Sequence, residues 1–181
     1  MLPNHYLFLL LLLPALCWTA CEKSIFNPQP AVKVLSPITM TGEGTFGCKI
    51  NGEVFLHTPK PFDDHITVYY DDFRNTFFVQ ASSSEGGELK KMVQVYADSL
   101  SNEGVYTLKG VIYTEFNDPC TDYPMLNEDY LVLEENYQTE IIHFDPEARI
   151  ISGTFQFTVV SEECQDTFRI TEGRFDMPWV Y

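Results

Sequence analysis

The stretch IISGTFQFTVV, residues 150–160, decides the fold. Every second residue of its central part is apolar or glycine: Ile151, Gly153, Phe155, Phe157 and Val159. The residues between them are serine, threonine and glutamine. This alternation is typical of an antiparallel strand that turns one side to a core and the other to solvent. It predicts a sheet with one buried face.

A second signal lies near the start of the same region. The Asn-Gly dipeptide at 51–52 separates two short alternating segments, which is the strongest short-range indication of a β-hairpin. A two-residue turn there would pair Cys48 with Phe55 and Phe46 with His57, so that these four side chains share one face. Aromatic residues make up 14% of the chain, and this bias also favours sheet.

The rest of the chain from residue 44 onward shows no long helical period. Alternating segments predict further strands at 66–70, 77–81, 89–96, 105–116, 130–144 with a break near Glu135 and Asn136, and 168–175. The run SSSEGG at 82–87 predicts a flexible loop. The sequence therefore predicts an all-β domain, a meander-like antiparallel β-sandwich of roughly eight to ten strands with little helix.

The first twenty residues are typical of a signal peptide. The apolar run from Tyr6 to Leu16 is much shorter than the roughly 20 residues that a membrane-spanning helix needs. It leads to Thr19-Ala20-Cys21, which resembles the cleavage site of bacterial lipoproteins, although Trp18 stands where leucine is usual and no Lys or Arg precedes the apolar run. We expect Cys21 to be acylated and to anchor the chain in the outer membrane; ordinary secretion with a plain thiol at Cys21 is the alternative.

Three regions follow from this interpretation: a signal peptide at 1–20, a lipid-anchored spacer at 21–43 and a β-sandwich domain at 44–181. Three prolines in the spacer, Pro28, Pro30 and Pro37, favour an extended, poorly ordered chain. Whether the domain faces the periplasm or the cell surface is open, because no clear sorting signal follows Cys21.

The formal net charge is −15, and residues 1–20 contain no Asp, Glu, Lys or Arg. A negative surface of this size repels phosphate backbones and anionic lipid head groups. The expected partners are therefore the membrane, reached through the lipid anchor, and an unknown protein or glycan, but no nucleic acid.

Two segments carry a family resemblance. The first is TGEGTFGCKINGEV at 41–54, and the second is ISGTFQF at 151–157 followed by ITEGRFD at 170–176. The pattern resembles a family of small Bacteroidota lipoproteins of unknown function, whose domains open with a TFGC-x-x-NG hairpin and close with a TxGRFD hairpin. The resemblance implies a β-rich fold and an envelope location, and it implies no activity and no catalytic residue.

Three cysteines remain in the domain if Cys17 leaves with the signal peptide and Cys21 is acylated. An exported protein can form a disulfide. The predicted strand directions favour a bridge between Cys120 and Cys164, because both cysteines follow strands that end on the same side. Cys48 lies on an apolar strand face, where a buried free thiol is common.

The other groups of candidate metal ligands and catalytic residues give only weak sequence signals. The acidic pairs at 63–64 and 71–72 and the loop at 117–122 could offer oxygen ligands to calcium, but none matches a calcium-loop spacing, and solvated turns are the favoured interpretation. A Cys48–His57 dyad is imaginable, but a structural role is favoured. We predict no metal, no cofactor and no catalytic residue.

Apolar and aromatic residues at 122–126 and 177–181 could contact a sugar or a protein partner, although we favour a role in covering the ends of the sandwich. The sequence predicts an envelope lipoprotein whose domain is a non-enzymatic binding or accessory module. The alternatives are a hydrolase with a carboxylate site assembled from loops and a structural coat protein.

Overall fold

A computed structural model of the protein describes residues 32–57, 66–121, 130–161 and 164–179, with the backbone alone for 130–136. Its compact unit runs from Lys33 to Tyr181. The described residues contain ten strands and no helix, and every pairing between strands is antiparallel. The predicted all-β antiparallel sandwich is confirmed.

Two sheets form the sandwich. The six-stranded sheet has the order β2-β1-β10-β9-β8-β6. Its strands are β1 (Thr45–Ile50), β2 (Glu53–Leu56), β6 (Gly104–Thr107), β8 (Tyr130–Asp145), β9 (Ile150–Ser161) and β10 (Thr167–Pro178). The four-stranded sheet has the order β3-β4-β5-β7. Its strands are β3 (Ile66–Asp71), β4 (Thr76–Glu85), β5 (Glu88–Ala97) and β7 (Gly110–Glu115).

The Asn-Gly hairpin forms in the predicted register. Asn51 and Gly52 have φ angles of 48° and 88°, the left-handed conformation that a two-residue hairpin turn requires. Cys48 pairs with Phe55. One step further along, the backbone N–H of His57 donates to the carbonyl oxygen of Phe46 at 3.4 Å.

The core lies between the two sheets and is rich in aromatic residues. Phe175 of β10 stacks on Phe77 of β4, with ring centroids 5.2 Å apart, so this pair joins the six-stranded sheet to the four-stranded one. Trp179 closes one end of the core, where it stacks on Phe144 and meets Tyr70 edge-on. Only 4% of Trp179 is exposed, which supports the favoured interpretation of the C-terminal segment as a cover.

Two glycines let the central strands approach each other. Gly153 of β9 pairs with Phe175 of β10, and Phe155 of β9 pairs with Gly173 of β10. A Cβ atom added to Gly173 would lie 2.5 Å from a ring carbon of Phe155 and 2.6 Å from its carbonyl oxygen. Each ring therefore fills the space above the glycine on the neighbouring strand.

The predicted loop at 82–87 is wrong. Strand β4 continues to Glu85, and only Gly86 and Gly87 form the turn to β5, with φ angles of 60° and 91°. Serines 82–84 lack β propensity, but they continue the pairing with β5, with a bulge between Ser83 and Ser84. Tertiary pairing has overridden the local preference.

The single strand predicted at 105–116 is also wrong. The chain forms β6 in one sheet and then β7 in the other. The crossing occurs within two residues, because the N–H of Leu108 donates to Tyr137 of β8 and the N–H of Lys109 donates to Tyr96 of β5. Leu108 is buried at the crossing. Strand β8 spans the break predicted near residues 135–136, where its register with β9 shifts between Leu133 and Gln138.

Candidate functional site

Several predicted residues lie outside the part of the chain that the structure describes. These are Cys21 and the rest of the predicted signal peptide, the acidic pair at 63–64, the aromatic loop at 122–126, and Val180 and Tyr181. The acylation of Cys21 therefore stays a prediction.

A disulfide joins Cys120 and Cys164, whose Cα atoms lie 5.4 Å apart. This is the pair that the strand directions favoured. The bridge links the connection that follows β7 to the connection between β9 and β10. Beside it, the hydroxyl of Ser161 donates to the carbonyl oxygen of Cys120 at 2.7 Å. The bridge therefore fixes two loops at one end of the sandwich.

Cys48 is a buried free thiol. Burial raises the pKa of this thiol far above its ordinary 9.0, so the thiol stays protonated and is a poor nucleophile. The Nδ1 atom of His57 lies 3.0 Å from the carbonyl oxygen of Ser82 on the opposite sheet. The burial of Cys48 and the contact of His57 with the opposite sheet agree with the structural role that the sequence favoured for the two residues.

The acidic turns among the described residues have local roles. One carboxylate oxygen of Asp71 accepts the N–H groups of Phe73 and Arg74, each at 3.0 Å. Asp118 accepts the N–H of Cys120 at 3.0 Å in the same manner. These carboxylates satisfy turn backbone, which supports the interpretation as solvated turns over calcium ligands.

The outer face of the six-stranded sheet, turned away from the core, carries a feature that the sequence did not predict. Residues 33–43, here called the strap, belong to the compact unit, ahead of the domain start predicted at residue 44. Leu35 packs against Gly47 of β1, since a Cβ added to Gly47 would lie 3.1 Å from its Cδ2. The carbonyl oxygen of Ser36 accepts a hydrogen bond of 3.1 Å from Nη1 of Arg174.

Asp176 of β10 fastens the end of the strap. Its carboxylate accepts bonds from the hydroxyls of Thr39 at 2.7 Å and Ser152 at 2.6 Å. It also accepts the backbone N–H groups of Thr41, Gly42 and Glu43, at 3.1, 2.8 and 3.2 Å. Only 1% of Asp176 is exposed. This carboxylate is therefore the buried hub that orders the segment leading into β1.

The charge state of Asp176 follows from these contacts. Burial alone would raise the pKa of its carboxyl group, because a low-dielectric site disfavours the charged form. The hydrogen bonds from Ser152, Thr39, Gly42 and Thr41 outweigh burial and lower the pKa to about 2. Asp176 is ionised at neutral pH, when all five donors are satisfied.

Beside the strap, the outer face forms a groove of about 300 Å³, here called the outer groove. Its polar lining residues are Gln138 and Glu140 of β8, Thr154 and Gln156 of β9, and Glu172 and Arg174 of β10. The register shifts of β8 at 133–138 and of β10 at 170–173 lie next to it. Bulges increase the local twist of a sheet, which explains why this face is concave.

The charged side chains of the outer groove differ in the contacts that they make. Glu172 lies 2.5 Å from the ammonium of Lys49 and 3.8 Å from Nη2 of Arg174. Arg174 also holds the strap through Ser36. Glu140 is exposed on the far side of the groove. Carboxylate, amide and guanidinium groups thus converge on one concave surface, and such a set can hydrogen-bond to a polar ligand.

A second groove, of about 290 Å³, lies where β2 approaches the β4–β5 hairpin. Two of its three lysines are ion-paired: Lys90 with Glu88 at 3.1 Å and Lys91 with Glu115 at 2.7 Å. This groove lies at the edge of the two sheets and not on the outer face.

No protein-family model, curated protein or solved structure matches the chain. Across the described ranges, no helix is long and apolar enough to cross a membrane.

Proposed function

We propose that the protein is an envelope lipoprotein, anchored in the outer membrane through Cys21, whose β-sandwich is a non-enzymatic binding or accessory domain. The outer groove carries the binding part of this proposal. It gathers hydrogen-bonding side chains from three neighbouring strands on a concave surface, and Glu140 stands exposed within it. A polar surface of this kind suits a glycan or a polar segment of a protein partner.

Export is supported by two independent features. The first is the apolar run that leads to Thr19-Ala20-Cys21. The second is the disulfide between Cys120 and Cys164, because disulfides persist mainly in oxidising compartments outside the cytosol. The resemblance to small Bacteroidota lipoproteins, carried by the motifs at 41–54 and 170–176, agrees with the same location.

A non-enzymatic role is supported by the state of the reactive groups. The thiol of Cys48 is buried and protonated. Glu172, one of the two carboxylates that line the outer groove, is ion-paired with Lys49 and Arg174. A net charge of −15 also argues against a nucleic-acid partner.

The anchor is tested by metabolic labelling with a fatty acid. The wild-type chain should incorporate label and stay with the membrane fraction, and Cys21→Ser should do neither. Protease shaving of intact cells then determines whether the domain faces the surface or the periplasm. An unlabelled wild-type chain that is recovered in the soluble fraction would contradict the anchor.

The groove is tested by cross-linking in cells, with recovery of partners on the wild type and on two variants. Glu140→Ala should lose the captured partner, because the exposed carboxylate of the groove is gone. Glu147→Ala is the matched control, since this exposed glutamate lies in the β8–β9 turn, outside the groove lining. Equal capture by all three proteins, or capture of nothing specific, would count against a binding role for the groove.

The hydrolase alternative has one observation in its favour, namely that Glu140 and Glu172 both line the outer groove. Two carboxylates across a groove are the minimum for acid–base hydrolysis of a glycoside. Incubation with envelope glycans should give no product if the domain only binds. Turnover that disappears in Glu140→Gln would replace the binding proposal with the hydrolase.

A further inference from the structure

The strap has two sides with opposite character. Its inward side is fixed by Leu35, which packs on Gly47, and by Thr39, which donates to Asp176. The residues between and beside these contacts include three apolar side chains that are exposed to solvent, those of Val34, Ile38 and Met40.

These three side chains form an exposed apolar ridge. Val34 is 70% exposed, and Ile38 and Met40 are each 52% exposed. They are held in place, because Asp176 and Arg174 fasten the strap on both sides of Ile38. Apolar groups that are held exposed along one segment are typical of a contact surface.

The position of the strap in the chain indicates what covers this ridge. Lys33 lies only twelve residues after Cys21, and twelve extended residues span at most about 40 Å. If Cys21 is acylated, the strap is the part of the domain that the chain holds closest to the bilayer. Tethering of this kind raises the effective concentration of a weak second contact into the millimolar range, on the order of 1 mM or above.

The distribution of charge also favours the lipid bilayer as the surface that covers the ridge. Residues 22–43 contain two lysines and two glutamates, so their formal charges cancel, and the whole net charge of −15 belongs to residues 44–181. Within the strap itself the charges of Lys33 and Glu43 cancel, so the strap adds no net repulsion from anionic head groups. Lys33, at the start of the strap, is exposed, and its long flexible side chain carries a positive charge at the end of the strap that is nearest the anchor in sequence.

We propose that the ridge of Val34, Ile38 and Met40 is the surface with which the anchored domain contacts the lipid bilayer. This inference rests on the proposed anchor at Cys21. It gives the domain a fixed orientation in which the outer face of the six-stranded sheet is turned toward the membrane. The outer groove, which lies beside the strap, would then open at the membrane surface.

The test uses the full acylated protein in phosphatidylcholine and phosphatidylethanolamine vesicles that contain a spin-labelled lipid as quencher. A polarity-sensitive fluorophore is attached to Ile38→Cys, and Phe73→Cys is the matched control. Phe73 is 90% exposed in the β3–β4 turn of the other sheet. Cys48 is buried and Cys120 and Cys164 are bridged, so among the described residues the introduced thiol is the one that labels.

We expect the quencher to remove most of the emission at position 38 and little of the emission at position 73. Equal quenching at both positions, or none at position 38, would overturn the inference. Protection of position 38 from a water-soluble thiol reagent in cells, combined with no quenching in vesicles, would overturn it in favour of a protein that covers the ridge.

Flotation of the vesicles separates this inference from the anchor on which it rests. A wild-type chain that does not float with vesicles contradicts the anchor itself. A chain that floats but shows no quenching at Ile38→Cys leaves the anchor intact and rejects the membrane-contacting ridge. A second label at Met40→Cys should behave like the label at position 38, which guards against a local effect of one substitution.

Discussion

The two faces of the six-stranded sheet differ in how much change they should tolerate. On the inner face, Phe155 and Phe175 lie over Gly173 and Gly153, with no room for a further carbon atom. On the outer face, side chains hydrogen-bond to the strap or line a groove open to solvent. The inner face specifies the fold, and the outer face carries both the docked strap and the groups that can meet a partner.

A single tetrapeptide of β10 serves both faces. Gly173 and Phe175 point inward and form the aromatic packing with β9. Arg174 and Asp176 point outward and hold the strap. The GRFD motif is therefore explained residue by residue through packing and docking. This is a structural explanation, and it requires no catalytic role for any of the four residues.

The largest expected effect is on the inner face, at Gly173→Ala. The added carbon would lie 2.6 Å from the carbonyl oxygen of Phe155, and the backbone of β9 would have to move. We expect a loss of about 4 kcal/mol in the free energy of unfolding, or failure to fold. Urea denaturation of the purified domain measures the change.

Thr154→Ala is the control for this substitution. Thr154 pairs with Arg174 in the same ladder but points to the outer face, so its loss should cost less than about 1 kcal/mol. Similar destabilisation by both variants would mean that the two faces do not differ as described.

The second largest effect is expected on the outer face, where it distinguishes the strap from the groove. Asp176→Ala leaves three backbone N–H groups of the strap and the hydroxyls of Thr39 and Ser152 without their acceptor. We expect destabilisation of about 3 kcal/mol. Hydrogen exchange with mass spectrometry should show residues 33–43 exchanging much faster, while β9 stays protected.

Asp145→Ala is the control, because this carboxylate accepts hydrogen bonds from two nearby turn N–H groups, those of Glu147 and Ala148. Its substitution should leave exchange in the strap unchanged. If Asp176→Ala also leaves the strap protected, Leu35 and Arg174 hold the strap without it.

Lowering the pH protonates Asp176 gradually and therefore tests the same contacts. The pKa of Asp176 is lowered from 3.8 to about 2 in the folded protein. The stabilisation is therefore fully present above the ordinary carboxyl pKa and is lost as pH falls through the folded value. A shift of this size corresponds to about 2 kcal/mol. The difference in unfolding free energy between the wild type and Asp176→Asn should shrink by this amount in strong acid; an unchanged difference would contradict the ionised hub.

Much of the inner face could be predicted from the sequence. Alternate residues of a strand point to the buried face, so apolar residues recur at every second position. The alternation in 150–160 and the Asn-Gly turn both depend on neighbours along the chain, and both are found as expected. The crossing at Leu108 was missed, although the apolar positions change phase there, from even numbers at 106 and 108 to odd numbers at 111 and 113. A phase change of this kind indicates a change of sheet.

The outer face could not be predicted in the same way. The strap has no regular secondary structure, and its docking depends on Asp176, which lies 134 residues after Gly42. No local pattern reports such a contact. The groove likewise exists because register shifts in β8 and β10 fall side by side, and pairing irregularities of this kind leave little trace in composition or period.

The smallest expected effect on stability is in the outer groove, where the comparison between faces is sharpest. Gln138 and Glu140 are exposed, so the double substitution Gln138→Ala, Glu140→Ala should change the free energy of unfolding by less than about 0.5 kcal/mol. Thermal and urea denaturation measure this change, with hydrogen exchange as a check that the strap stays protected. A loss of several kcal/mol would show that the groove is part of the fold and not a free surface. Near-neutral stability together with lost partner capture would establish that the groove is separable from the parts of the molecule that determine folding, namely the inner face and the docked strap.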